Sequence, residues 1–115
     1  MEILTELTVT LKGALWNILG FKIETIDVLK KILVNDSQDE AKVNVKKFPL
    51  SEDRILDIFI EIEAPNGTNY DLEVSGELST GEDALNLNYK ESFEVIRRGN
   101  LRISLTKNLN ELLDN

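Results

Sequence analysis

Outside one long apolar segment near the N-terminus, apolar and polar residues alternate along most of this chain. Alternation of this kind is typical of β-strands that bury one face, so it predicts strands over most of the sequence. The apolar positions of the first strand are Leu7, Val9 and Leu11, and those of the second are Val43 and Val45.

The segment Ala14–Val34 breaks the alternation, because its large apolar residues recur at steps of three and four. This spacing predicts one core-facing helix. The stripe comprises Leu15, Ile18, Leu19, Ile26, Leu29 and Leu33, and the residues that widen it are Phe21, Val28 and Ile32. Glycine inside a helix costs on the order of 1 kcal/mol relative to alanine, so a break at Gly20 with a restart near Thr25 is the alternative.

The segment Ile55–Leu78 predicts an antiparallel hairpin with one apolar face and one acidic face. A three-residue loop, Pro65-Asn66-Gly67, suits a type I turn followed by a G1 bulge. This loop sets Ile62 opposite Tyr70 on the core face, and further apolar pairs follow in steps of two. The acidic residues of the other face are Asp57, Glu61, Glu63, Asp71, Glu73 and Glu77.

The residues after this hairpin predict a continued antiparallel meander. Pairing of Leu78 with Leu85 adds the next strand, and Gly99-Asn100 suits the turn of a last hairpin. A short helix through Phe93 is the alternative to that hairpin. Asn108–Leu113 is expected to close the chain as one or two helical turns.

Together these elements predict an α+β fold. One N-terminal strand is followed by one main helix, which packs on a curved antiparallel meander of about five strands. The chain has 115 residues and is expected to form a single globular domain over residues 1–115. The element order resembles that of cystatin-like domains, although the glutamine-valine-glycine inhibitory loop of cystatins has no counterpart in this sequence.

The composition limits the chemistry that the chain can perform. It has no cysteine and no histidine, so thiolate nucleophiles, sulfur metal sites and the commonest general base are absent. No EF-hand loop or glycine-rich phosphate loop is found either. The sequence therefore predicts a protein that is not an enzyme and that has no cofactor and no metal site.

The net charge of -8 at pH 7 indicates what kind of partner is suitable. A chain of this charge repels nucleic acid and attracts a protein with a basic surface. Charged residues interrupt the long apolar segment too often for a membrane span. The N-terminus lacks the basic and then apolar pattern of a secretory signal, so a cytoplasmic protein is expected.

The leading hypothesis is a non-enzymatic interaction module of the inhibitor, immunity or decoy type that binds a basic protein surface. Its candidate binding residues are Phe59, Asp57, Glu61, Asp71 and Glu73, because an exposed aromatic ring among carboxylates suits a cationic partner. In the predicted hairpin Glu61 faces Asp71, an arrangement of like charges that is destabilising by up to about 1 kcal/mol. The alternatives are an acidic face that is only solvated and a hard cation at this pair.

Two further hypotheses belong to other classes. The first is a structural or assembly subunit that forms homo-oligomers through the widened helix face or through an open sheet edge, with Trp16, Phe21, Val28 and Ile32 as the candidate interface residues. The second is a small-ligand carrier with a pocket between helix and sheet.

Overall fold

The computed structural model describes residues 3–49, 54–79 and 83–113, and most of its regular structure is antiparallel β-sheet. The strands are β1 (Ile3–Lys12), β2 (Asn17–Ile23), β3 (Ile26–Asp27), β4 (Leu33–Val34), β5 (Glu40–Pro49), β6 (Ile55–Glu63), β7 (Asn69–Ser79), β8 (Ala84–Glu94) and β9 (Asn100–Asn108). Within the described residues, helical structure is confined to a 3₁₀ turn at Leu29–Lys31 and the single-turn helix α1 at Leu109–Leu112.

The strands form two sheets that share one core. The five-stranded sheet has the order β4-β5-β1-β7-β8, and the four-stranded sheet has the order β3-β2-β6-β9. β1 pairs with β5 and β7, while β6 pairs with β2 and β9, all in antiparallel fashion. The buried residues of both sheets belong to one hydrophobic cluster, so the fold is a β-sandwich.

The core follows the alternation of the strands. Burial alternates strictly from Ile55 to Val74 along β6 and β7, with every second side chain removed from solvent. The buried residues of β1, β6 and β7 include Leu7, Val9, Leu11, Ile58, Ile60, Ile62, Tyr70, Leu72 and Val74. The prediction of which residues face the core is therefore confirmed for these strands.

The predicted main helix at Ala14–Val34 is wrong. In the structure this segment leaves the five-stranded sheet, forms β2 and β3 in the other sheet, and returns as β4. Leu19, Phe21 and Ile23 also lie at steps of two, and Phe21 and Ile23 use that period to enter the core. Pairing of β2 with β6 along most of its length therefore overrides the helical spacing.

The predicted hairpin of Ile55–Leu78 is also wrong, because β6 and β7 lie in different sheets. The backbone N–H of Ala64 donates to Gly99, and that of Gly67 donates to Val95, at 2.9 and 2.7 Å. The loop between the strands is thus bonded to the loop that follows β8. The alternation of odd and even positions along a strand determines which side chains are buried, but it does not determine which strand is the neighbour.

Some predictions for the elements after β7 are confirmed and others are wrong. β8 pairs with β7 in the predicted register, with Leu78 opposite Leu85. β9 pairs with β6, so the hairpin around Gly99-Asn100 is wrong, and the alternative helix through Phe93 is wrong because β8 continues to Glu94. The predicted C-terminal helix forms a single turn, α1.

The α+β fold class is therefore wrong, and the resemblance to cystatin-like element order is lost with the main helix. Strands dominate the described chain, and two sheets replace the single meander. No helix in the described ranges is long and apolar enough to cross a membrane.

Strand register brings four connections together at one end of the sandwich, called the loop end here. Its connections are residues 13–16, 35–39, 64–68 and 95–99. Lys12 at the end of β1 lies opposite Glu40 on one side and Asp71 on the other. In the other sheet Glu63 at the end of β6 lies opposite both Asn17 and Asn100.

Candidate functional site

The five predicted partner-binding residues lie on two separate surfaces. Asp57, Phe59 and Glu61 lie on the outer face of β6, in the four-stranded sheet. Asp71 and Glu73 lie on the outer face of β7, in the five-stranded sheet. The sandwich therefore separates the two groups, and Glu61 does not face Asp71.

The acids on β6 bind side chains of β9. The Glu61 carboxylate accepts a hydrogen bond from Arg102 Nε at 3.0 Å and one from Asn100 Nδ2 at 3.3 Å. The bond from Arg102 is the main reason why the pKa of Glu61 is lowered. Asp57 Oδ1 accepts a hydrogen bond from Thr106 Oγ1 at 2.8 Å. β9 thus partly neutralises this face.

The acids on β7 have similar partners. Glu73 lies between Lys12 at 3.1 Å and Lys90 at 3.6 Å, where each distance joins Nζ to a carboxylate oxygen. Its hydrogen bond with Lys12 is the main cause of the raised pKa of that lysine. Asp71 accepts a hydrogen bond from Ser92 Oγ at 2.6 Å.

Two of the four predicted self-association residues are in the core. Phe21 and Val28 are fully buried. Trp16 is 65% exposed and Ile32 is half-buried, and both line one groove at the loop end. The ligand-carrier hypothesis needs a pocket between the main helix and the sheet. That pocket is absent from the described residues, because strands replace the main helix.

Trp16 lies between two open grooves of the loop end. The first has a volume of about 440 Å³ and is mostly apolar, with lining residues Leu15, Trp16, Asn17, Ile18, Leu29, Ile32, Val34 and Gln38. The second has a volume of about 490 Å³, with lining residues Trp16, Asn17, Glu63, Ala64, Pro65, Arg98 and Gly99. We call the first the apolar groove. An indole ring between two concavities suits contact with another protein.

The loop that carries Trp16 is bonded to its neighbours. The N–H of Gly13 donates to the Asp39 carbonyl at 2.8 Å, and the N–H of Leu15 donates to the Gln38 carbonyl at 2.9 Å. The Tyr70 hydroxyl donates to the carbonyl of the intervening Ala14 at 2.5 Å. The position of Trp16 is therefore set by contacts with both β7 and the turn before β5.

A third groove at the same end is polar and acidic. Its lining residues are Lys12, Gly13, Asn35, Asp39, Glu40, Asn69 and Asp71. Three carboxylates and one lysine give this acidic groove a negative formal charge. Sequence reasoning did not select Asp39 and Glu40, although they end a recognisable run of turn-forming residues; pairing of β5 with β1 and of β1 with β7 is what brings them near Asp71.

Most of the exposed apolar side chains belong to one stretch of the sequence. Seven large apolar residues of the described chain are exposed, and five of them belong to the stretch from residue 16 to residue 34. Those five are Trp16, Leu19, Ile26, Leu33 and Val34. Of these, Trp16 and Val34 line the apolar groove, whereas Ile26 lies beside Ile23, at the end of β2 away from the loop end.

The described residues contain no group of three or more acidic side chains arranged to hold a metal ion. No protein-family model, no curated protein and no solved structure matches this chain. The geometry of the loop end is therefore the basis for assigning a function.

Proposed function

We propose that this protein is a non-enzymatic binding module that contacts a partner protein with a basic surface through its loop end. The observation that carries the proposal is the position of Trp16. This residue is 65% exposed and lies between two grooves, on a loop that hydrogen bonds hold to neighbouring elements. Tryptophan is enriched among the residues that dominate interface energetics. An anchor whose loop is already ordered loses less conformational entropy on binding.

The charge of the partner follows from the surroundings of Trp16. The acidic groove lies at the same end of the sandwich, and the chain as a whole has a net charge of -8. A partner that combines an apolar contact for Trp16 with lysine or arginine for Asp39 and Glu40 fits both surfaces. Long-range attraction then raises the association rate at low salt. Blocking of such a basic surface is the action of an inhibitor, an immunity protein or a decoy.

The test compares two aromatic truncations in the full chain. Trp16→Ala removes the proposed anchor, and Phe59→Ala removes an aromatic ring from the outer face of β6 as a matched control. A partner would be captured from lysate of the protein's own source, purified and titrated by calorimetry. Trp16→Ala is expected to weaken Kd about 30-fold, which corresponds to about 2 kcal/mol, and Phe59→Ala to leave it nearly unchanged.

Two results would contradict this proposal. Equal affinity of wild type and Trp16→Ala would exclude the loop end as the contact surface. Selective loss with Phe59→Ala would instead favour the β6 face, with Asp57 and Glu61 as its charged residues. In a second measurement, Asp39→Asn with Glu40→Gln is expected to slow association mainly at low salt.

Self-association is the second candidate function. The observation that favours it is the exposure of Leu33 and Val34, 74% and 50%, on β4 at the edge of the five-stranded sheet.

A further inference from the structure

β4 is an apolar edge strand with one open side. It pairs with β5 through Leu33 opposite Lys42 and Val34 opposite Ala41. It is the outermost strand of its sheet in the described part of the chain. Uncovered edge strands pair readily with other chains, and proteins usually protect them with charge or with a covering segment. β4 is short, with only two residues, but Leu33, the most exposed large apolar residue described, is neither charged nor covered.

The charges beside β4 are arranged with opposite signs. Lys30 and Lys31 precede the strand, and Asp36 follows it. All three are exposed, and none forms an ion pair with another described residue. A segment that is positive before its apolar centre and negative after it is complementary to an antiparallel copy of itself.

We propose that two copies of this chain associate through antiparallel contact of their β4 edges, with Leu33 on the twofold axis. Antiparallel contact centred on Leu33 brings the 3₁₀ turn that carries Lys30 and Lys31 in one copy toward Asp36 of the second copy, and the symmetry repeats this contact. Such an isologous interface uses the same patch on both chains. Charge complementarity is thus the reason for choosing a second copy as the occupant of this edge.

The apolar groove extends this contact surface. Val34 and Ile32 belong both to the segment around β4 and to the groove lining. Side chains of the second copy that cross the axis therefore meet apolar surface on either side of Leu33. The contact is centred on Leu33 and does not require Trp16, so it is independent of the partner binding proposed above and specifies the self-association named there as the second candidate function.

The first measurement is the mass of the purified full chain by sedimentation velocity over a range of concentrations. The wild type is expected to dimerise as concentration rises. Leu33→Glu places two like charges at the axis and is expected to weaken dimerisation about tenfold or more. Leu85→Glu is the matched control, because Leu85 is an exposed apolar residue on β8, at the opposite edge of the sheet. It should dimerise like the wild type.

A charge exchange tests the antiparallel orientation of the two copies independently of Leu33. Lys30→Glu and Asp36→Lys are each expected to weaken dimerisation, because each brings like charges of the two copies together. The double variant Lys30→Glu/Asp36→Lys restores complementarity with reversed signs and should recover dimerisation. Circular dichroism checks that each variant is folded. If Leu33→Glu does not fold, the charge-exchange variants still test the proposed dimer.

Three results would overturn the dimer. These are a wild type that is monomeric at all concentrations, a dimer that Leu33→Glu does not weaken, and a double charge variant no better than the single ones. The experiment needs no partner protein. Its failure is therefore distinguishable from failure of the loop-end proposal, which is measured with Trp16→Ala and a captured partner.

Discussion

At the scale of single residues, Gly13 and Tyr70 determine where Trp16 lies. Gly13 has a φ of 148°, and a Cβ atom there would lie 2.5 Å from both the Asn69 carbonyl oxygen and the Tyr70 ring. Tyr70 is almost fully buried, and its hydroxyl reaches the Ala14 carbonyl. The absent side chain of Gly13 thus leaves the space that the Tyr70 ring occupies.

Gly13→Ala should destabilise the protein far more than Gly67→Ala. Both glycines have a positive φ, 148° and 94°, but a Cβ atom at Gly67 would meet nothing within 4 Å. Backbone strain alone costs on the order of 1 kcal/mol, whereas steric overlap adds a further penalty of about 2 kcal/mol or more. Urea unfolding of the two variants measures the difference. Equal losses of stability would show that the Tyr70 contact is unimportant.

Stability should fall at alkaline pH, in part through Tyr70. Burial raises the pKa of Tyr70 above its usual value, so the folded state binds its proton more tightly than the unfolded state. The resulting stability is complete below about pH 10 and is lost as the pH rises through the folded pKa.

Tyr70→Phe separates this contribution from that of Lys12, whose raised pKa acts in the same direction. At neutral pH the variant should lose about 1 kcal/mol, because the hydroxyl no longer binds the Ala14 carbonyl. Between pH 8 and pH 11 it should lose less stability than the wild type in urea unfolding. A parallel decline of both proteins would contradict the role of Tyr70.

At the scale of elements, the β1–β7 ladder depends on a second glycine. Gly76 lies opposite Leu7, next to a shift in register between Leu4 and Glu6. A Cβ atom at Gly76 would overlap the Glu6 carbonyl oxygen. Glycine in a strand often marks such a close approach of backbones.

Gly76→Ala should therefore destabilise the five-stranded sheet by about 2 kcal/mol or more. Gly20→Ala is the matched control on β2, where the added methyl would have an ordinary contact of 3.6 Å with the Phe59 ring. The control should change stability little, since a strand interior favours alanine slightly over glycine. Thermal unfolding monitored by circular dichroism compares the two variants. A larger loss at Gly20 would exclude this reading of the ladder.

The strands also show which features of the fold a local sequence pattern can predict. Alternation correctly predicted the buried face of β6, because successive side chains of a strand point to opposite faces of the sheet and every second one enters the core. It could not distinguish a hairpin partner from a strand in the opposite sheet. In Ala14–Val34 two periods coexist, and the choice between helix and strand was made by pairing with β6 and β5.

At the scale of the whole molecule, charge is unevenly compensated. Thirteen basic residues face 21 acidic ones, and ion pairs such as Glu61–Arg102 and Glu73–Lys12 are at the surface. Exposed pairs stabilise by roughly 0 to 1 kcal/mol each. Self-repulsion of the excess negative charge acts over the entire surface. Salt weakens both this repulsion and the few ion pairs, and the stabilisation from weaker repulsion should be larger than the loss from weaker ion pairs.

Raising NaCl from about 0.05 to about 0.5 M should therefore increase Tm, because the Debye length shrinks and repulsion weakens. Differential scanning calorimetry at fixed pH and protein concentration measures this. Leu33→Glu provides the control, since a rise that is confined to the wild type would reflect dimerisation rather than repulsion. A fall in Tm with salt would show that the surface ion pairs dominate.

The candidate site was only partly accessible to sequence reasoning. Trp16 was selected as an interface residue, and the structure leaves it exposed, but its proposed companions Phe21 and Val28 are buried. The acidic residues Glu61 and Asp71 were assigned to one face and lie on separate sheets. The acidic groove joins residues from three strands and the turn before β5, so no local pattern could indicate it.

Composition fixes the net charge and excludes histidine and cysteine chemistry, and the two-residue period of a strand indicates which residues of β1, β6 and β7 are buried. Which strands are neighbours depends on tertiary contacts that no local pattern encodes. Burial of the same apolar residues is compatible with one meander or with two packed sheets. Long-range pairing selects between them, and with them the arrangement of Trp16, the grooves and the open β4 edge.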